Sequence, residues 1–99
     1  MPYVRISIAR PRAGQQTRLE ELERQIAALI GRQPGCEWCY VLYPHDNSGD
    51  IARISIWDSE EAAERAASSD AMLSLRSEVL LAADGDGPDE RAFSDAPHR

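Results

Sequence analysis

The 99-residue chain lacks a surplus of positive charge. At a formal net charge of −6 it has no composition for a broad basic face, which argues against nucleic acid or an anionic membrane as a partner. It lacks a long apolar run: none approaches the roughly 18 residues that a membrane-spanning helix needs. No basic-then-apolar leader opens it, so no export signal is expected. It is poor in cysteine. Two cysteines do not make a disulfide framework, and a reducing cytoplasm is the expected setting. It has no Gly-rich phosphate loop and no nucleophile motif. The chain is also short. It has room for one domain, expected over residues 1–95, with 96–99 as a loose tail. So small a core favours an oligomer that covers part of its surface with a partner.

What is present is a 42% apolar, 28% charged composition, ordinary for a soluble globule. Residues 3–9, YVRISIA, alternate strictly: Val4, Ile6 and Ile8 on one side, Arg5, Ser7 and Ala9 on the other. This predicts a strand with two unlike faces. From Gln15 to Arg32, Leu19, Leu22, Ile26, Leu29 and Ile30 recur at helical spacing, with Glu20, Glu21, Glu23 and Arg24 assigned to the outside. Thr17 with Glu20 reads as a capping box, and Gly31 with Pro34-Gly35 ends the helix. Residues 37–43, EWCYVLY, and 51–57, IARISIW, predict two strands joined by the turn PHDNSGD as a hairpin. Asp58 or Ser59 caps a helix whose first turn holds Glu60 and Glu61. Ser68-Ser69-Asp70 interrupts it, and a further helix runs to about Ala83 with Met72, Leu75, Val79 and Leu80 inward. DGDGPD is a loop and ERAFS a last strand. The order β-α-β-β-α-β predicts an α+β, ferredoxin-like fold: a four-stranded antiparallel sheet with helices on one face.

Which face the helices cover decides where a site can lie. With Asn47 and Ser48 centring the hairpin, Tyr40 falls opposite Ser55 and Trp38 opposite Trp57. Trp38, Tyr40 and Leu42 then share a face with Arg53, Ser55 and Trp57, and Cys39 and Val41 lie with Ile54 and Ile56 under the helices. A one-residue slip exchanges the sets. On this register Arg5, Ser7, Tyr40, Arg53, Ser55 and Trp57 line the face away from the helices, where two sheets could close around a cavity. Aromatic walls with a few polar groups suit a small-molecule pocket. The same residue types also suit a plain dimer interface.

Cys36 and Cys39 stand in C-x-x-C spacing. Thioredoxin-type chemistry sets that motif at a helix start, where the helix N-terminus lowers a thiol pKa; here a strand follows. Residues three apart in a strand point to opposite faces, roughly 10 Å apart, too far for a disulfide. A zinc site needs about four ligands, and no second pair exists. His45 lies in a turn and His98 in the tail. No metal and no cofactor are expected, and the cysteines read as unrelated neighbours.

Four features together carry a family resemblance: the first strand YVRISIAR, the PGC before strand two, the run ISIWDSEEAAERAA, and the helix-break-helix after it. The chain resembles the antibiotic biosynthesis monooxygenase family of the dimeric α/β-barrel superfamily over most of residues 3–83. The resemblance implies a homodimer whose sheets form a barrel, and cofactor-free oxidation of phenols, haem degradation or isomerisation as the family's chemistries. Haem-degrading members share a strand-one Asn, a Trp ending strand three and a His on the next helix. Trp57 matches that Trp, but the first strand has no Asn, and no His occurs between His45 and His98. Without that axial ligand haem degradation is not implied. The expected function is a cofactor-independent monooxygenase, or a related isomerase, acting on a small aromatic or quinone-like metabolite. Arg5 and Arg53 would hold a phenolate or carboxylate, Trp57 and Tyr40 would stack on the ring, and Ser7 and Ser55 would hydrogen-bond. Since no acid shares that face on strands one and three, a planar anionic ligand is expected to compensate the arginines. The alternatives are a non-catalytic binding module and a structural homodimer of the same fold.

Overall fold

The computed structural model describes residues 2–95. The chain runs β1 (Tyr3–Ala9), α1 (Gln16–Gly31), β2 (Cys36–Leu42), β3 (Ile51–Trp57), α2 (Glu60–Ala67), α3 (Asp70–Ala82) and β4 (Asp89–Ser94). The strands form one antiparallel sheet in the order β2-β3-β1-β4. This is the expected ferredoxin-like arrangement, with the second helical crossover divided in two. The tail expected at 96–99 lies outside the described residues.

Local chemistry explains most element boundaries. Ser59 caps α2, its Oγ accepting from the Ala62 N–H at 3.2 Å, and Glu60 and Glu61 sit at the positive end of the helix dipole. Ser69 caps α3 in the same way, accepting from the Met72 N–H at 3.2 Å. The capping box expected at Thr17 does not form. The Leu19 N–H already donates to the Gln15 carbonyl, so the first turn begins before Thr17 and leaves it inside the helix. Gly35, in the PGC turn between α1 and β2, has φ +88°, and a Cβ there would stand 2.6 Å from Ala62 Cβ. Only glycine meets both demands. Its carbonyl accepts from the Asp58 N–H at 2.9 Å, tying the start of β2 to the end of β3.

The core lies between the helices and one sheet face. Leu19, Leu22, Ile26 and Ile30 of α1, Ala62, Ala63 and Ala66 of α2, and Met72, Val79 and Ala82 of α3 meet Tyr3, Ala9, Ile51 and Trp57 of the sheet. Leu80, expected to face inward, is half exposed.

The sheet faces correct the sequence reading. β2 pairs with β3 as Cys39↔Ser55, Tyr40↔Ile54 and Val41↔Arg53, one residue away from the expected register. Cys39 and Val41 do lie under the helices, but with Arg53, Ser55 and Trp57 rather than with Ile54 and Ile56. On β1 the helix side is Tyr3, Arg5, Ser7 and Ala9. The open face carries Val4, Ile6, Ile8, Ala52, Ile54 and Ile56, flanked by Trp38, Tyr40, Leu42 and Phe93. The expected register segregates small aliphatic groups from large amphipathic ones and puts the aliphatic set under the helices. Here the helix layer rests instead on large amphipathic side chains that span the gap to the sheet, and the aliphatic set is left outward.

Candidate functional site

The gap between helices and sheet is a cavity of about 360 Å³, at the lower end of the range that small-molecule sites occupy. Its origin is visible in the side chains. α2 presents Ala63 and Ala67, and α3 begins with Met72, so little volume descends from this part of the helix layer onto Trp57. The sheet supplies the floor: Tyr3, Arg5 and Ser7 of β1, Arg53, Ser55 and Trp57 of β3, and Glu90 and Ala92 of β4. Cross-strand pairing sets Arg5 beside Ser55 and Ser7 beside Arg53, so the polar groups meet as neighbours on one pleated surface.

Each polar group is held differently. The Trp57 indole N–H donates to Ser55 Oγ at 2.9 Å, which fixes a ring only 1% exposed as an aromatic wall. Arg5 Nε donates to the Tyr3 hydroxyl at 3.2 Å, and its guanidinium lies 5.6 Å from the centre of the Tyr3 ring, with no carboxylate of the described residues in ion-pair range. Arg53 Nε donates to Glu23 Oε1 at 3.0 Å in an ion pair where Glu23 is wholly buried and the Arg53 side chain is 10% exposed. Arg76 and Glu90, both about half exposed, approach to 3.5 Å across α3 and β4. Among the described residues, Ser7 Oγ and Glu23 Oε2 are buried side-chain oxygens without a hydrogen-bond partner.

Of the residues singled out in the sequence, five come together here: Arg5, Ser7, Arg53, Ser55 and Trp57. They do so under the helices, not on the open face. Tyr40 is separated from them; it pairs with Ile54, is 55% exposed, and stacks loosely on Trp38 with ring centres 6.3 Å apart. Glu23 was assigned to the outer face of its helix and is instead its most consequential buried residue. Its position shows why: Leu19, Glu23, Ile26 and Ile30 follow the i, i+4, i+7, i+11 course of one helix face. An acid on that stripe needs a cation opposite, and Arg53 provides it. No acid shares that face on β1 and β3, as expected, but α1 supplies one to Arg53 where a bound anion was expected, while among the described residues Arg5 has no ion-pair partner.

The cysteines also differ from expectation. The β2 register shifts between Cys36 and Trp38, so Cys36 pairs with Trp57 and Cys39 with Ser55. This bulge at Glu37 turns both cysteines to the helix side. Both thiols are free. Burial, and secondarily Glu37, raises the Cys36 pKa, and its Sγ–H donates to the Trp38 carbonyl at 3.3 Å. Burial pushes Cys39 up to about 11, with Arg53 opposing the shift. Thiols held this far from ionisation are poor nucleophiles. His45 lies exposed in the bend between β2 and β3, outside the cavity lining. No His, Cys, Asp and Glu side chains gather into a possible metal-holding group among the described residues.

Rv0793 from Mycobacterium tuberculosis superposes with a TM-score of 0.87 at 16% identity, covering 99% of this chain and 98% of that one. SnoaB, a cofactor-independent oxygenase from Streptomyces nogalater, gives a TM-score of 0.83 at 18% identity, covering 98% and 95%. PA3566 from Pseudomonas aeruginosa gives 0.84 at 17% identity, covering 97% and 95%. At these identities the likeness establishes the shared fold. A search of curated protein sequences finds no match. The sequence model of one family, antibiotic biosynthesis monooxygenase, matches residues 1–77, so it is to the antibiotic biosynthesis monooxygenase family that this chain belongs.

Proposed function

We propose that the protein is a cofactor-independent monooxygenase acting on a small aromatic or quinone-like metabolite held between the helices and the sheet. The observation that carries this reading is a cavity with a fixed indole wall, a cation on the helix side of the sheet without an ion-pair partner among the described residues, and a buried hydroxyl without a hydrogen-bond partner among them: Trp57, Arg5 and Ser7. Trp57, almost wholly buried, backs the cavity as an apolar aromatic wall. Arg5 stabilises the ionised form of a phenol, and an electron-rich phenolate is the form that reacts with oxygen. The balance needs no external reductant. Conversion of a phenol to a quinone consumes one O2, places one oxygen atom on the ring and the other in water, and draws all four electrons from the substrate. SnoaB, a structural neighbour, is a cofactor-independent oxygenase, and that supports the reaction class here.

Arg53 and Ser55 complete the polar floor, and Tyr40 is left out of it. The ligand is a planar anion, its charge set against Arg5 rather than shared between two arginines. The assembly is a homodimer, formed over the open, largely aliphatic sheet face. The unit is a single domain over residues 1–95. No helix among the described residues is long and apolar enough to cross a membrane, and two free, half-buried thiols suit the reducing cytoplasm.

Oxygen uptake with 1-naphthol under 18O2 tests the reading. The expected result is 1,4-naphthoquinone with one labelled oxygen per turnover, undiminished by chelator, and slowed at least about tenfold in Arg5→Gln. Saturable binding of naphthols with no oxygen uptake would favour the second reading, a binding module. One observation leans that way: both acids near the cavity, Glu23 and Glu90, are already paired with arginines.

A further inference from the structure

Glu23 has no contact with the cavity, yet it governs what the cavity's second arginine can do. A guanidinium offers five N–H donors in a rigid fork. Glu23 takes Nε alone, at 3.0 Å. Among the described residues neither Nη atom of Arg53 finds a protein acceptor, and neither is a sealed, unsatisfied atom; Arg53 lines both the main cavity and a smaller adjoining one beside Arg76 and Glu90. Ser7, directly opposite Arg53 on β1, is 4% exposed and its Oγ has no partner either. Unused donors gathered on one patch of a buried floor are costly unless something accepts from them.

The charges sort in the same way. An arginine at 10% exposure beside a carboxylate at 0% forms a pair that is neutral as a whole. The Nη atoms are then strong donors with little net charge behind them. Arg5, two residues before Ser7 on β1, has no such acid among the described residues. The two arginines of the floor, alike in sequence, are unlike in electrostatics.

We propose that Glu23 is a positioning and charge-setting residue for the site: it holds Arg53 by Nε so that the Nη atoms receive an uncharged oxygen of the ligand, and it leaves Arg5 as the cation for the ligand's negative charge. The ligand thus carries one ionised oxygen and a second, neutral one. The inference rests on the reading of the cavity as a site for planar oxygenated aromatics, and it adds a division of labour to that reading.

Calorimetric titration with 2-naphthoate and 2-naphthamide separates the two. In the wild type both probes bind, and Arg5→Gln weakens the carboxylate at least about tenfold while sparing the amide. Glu23→Gln keeps an acceptor for Arg53 Nε and removes the charge. It is expected to tighten 2-naphthoate about tenfold, because Arg53 becomes a second free cation, and to leave 2-naphthamide within about twofold. A residue that merely packs would move both probes together. Glu23→Gln can also unfold the chain by stranding Arg53. The double variant Glu23→Gln, Arg53→Gln carries no buried charge; it is expected to fold, to return the carboxylate-to-amide ratio to its wild-type value, and to weaken both probes. An unchanged ratio in folded Glu23→Gln, or an altered ratio in the double variant, overturns the role of Glu23 while leaving the cavity reading intact. Failure of the wild type to bind either probe at millimolar concentration overturns the cavity reading and this inference with it.

Discussion

Glu23, Arg53 and Cys39 show how far single residues could be read from the chain. Arg5, Ser7, Arg53, Ser55 and Trp57 were legible as one set because strict alternation in β1 and β3 puts them on a common face, whichever way that face looks. Glu23 is masked by its charge, although its place on the Leu19–Ile30 stripe is a signal that periodicity carries. Cys39 was legible as a residue under the helices, but its partner Ser55 and the facing of Cys36 were not, because a β-bulge, which one extra residue creates, is announced by no local composition. The burial of Cys39 has a consequence for pH. Burial holds the folded-state Cys39 pKa at about 11, against an ordinary thiol value of 9.0 in the unfolded chain. The unfolded chain therefore loses the proton first. Stability is fully present below about pH 9 and falls as pH rises toward 11. Urea denaturation midpoints taken across this window are expected to decline in the wild type, and less steeply in Cys39→Ala. Parallel slopes in the two proteins would show that Cys39 does not titrate this way. The effect is modest, since Cys39 is only part-buried and water screens it.

Among the elements, the strands, helices and their order were legible throughout. Alternation, a helical stripe and two serine caps each act within a few residues, and nothing distant opposes them. The facing of the sheet was not legible. Alternation divides β1 and β3 into two sets but says nothing of which set the helices cover, and the more aliphatic set was given to them. In the structure that set forms the open face, where Ile54 and Ile56 lie between Trp38 and Tyr40 on β2 and Val4 and Ile6 on β1. A contiguous apolar face of this kind calls for a partner surface, and this is the physical basis for the proposed homodimer. It also sets the place where the proposed dimer is vulnerable. Trp57 is buried beneath the helices, so its substitution would damage the monomer core. Ile54→Glu instead sets a carboxylate in the proposed interface, which must then be buried unpaired. Sedimentation at micromolar concentration should show a dimer for the wild type and a folded monomer for Ile54→Glu. A monomeric wild type would remove the dimer from the account.

For the whole molecule, the two sheet faces divide the work. One face, with the helices, encloses a cavity whose floor combines an indole, two electrostatically unlike arginines and a buried hydroxyl. The other is free to associate. The family and the fold were legible because the motifs that carry the resemblance, from YVRISIAR to the W-x-S-E-E-A run, stand on the framework itself. The location of the cavity was not, because it depends on the small side chains Ala63 and Ala67 standing across from Trp57. The central claim is that ligands enter between helices and sheet. The chain holds two tryptophans, and they lie on opposite faces: Trp57 on the cavity floor, Trp38 on the open face. A 1H–15N titration with 2-naphthoate therefore reads the location from two indole N–H signals. The account predicts a saturable shift of the Trp57 signal, whose N–H is bonded to Ser55 on that floor, with the Trp38 signal unmoved. A shift confined to Trp38 would contradict it and place the ligand on the outer face of the sheet.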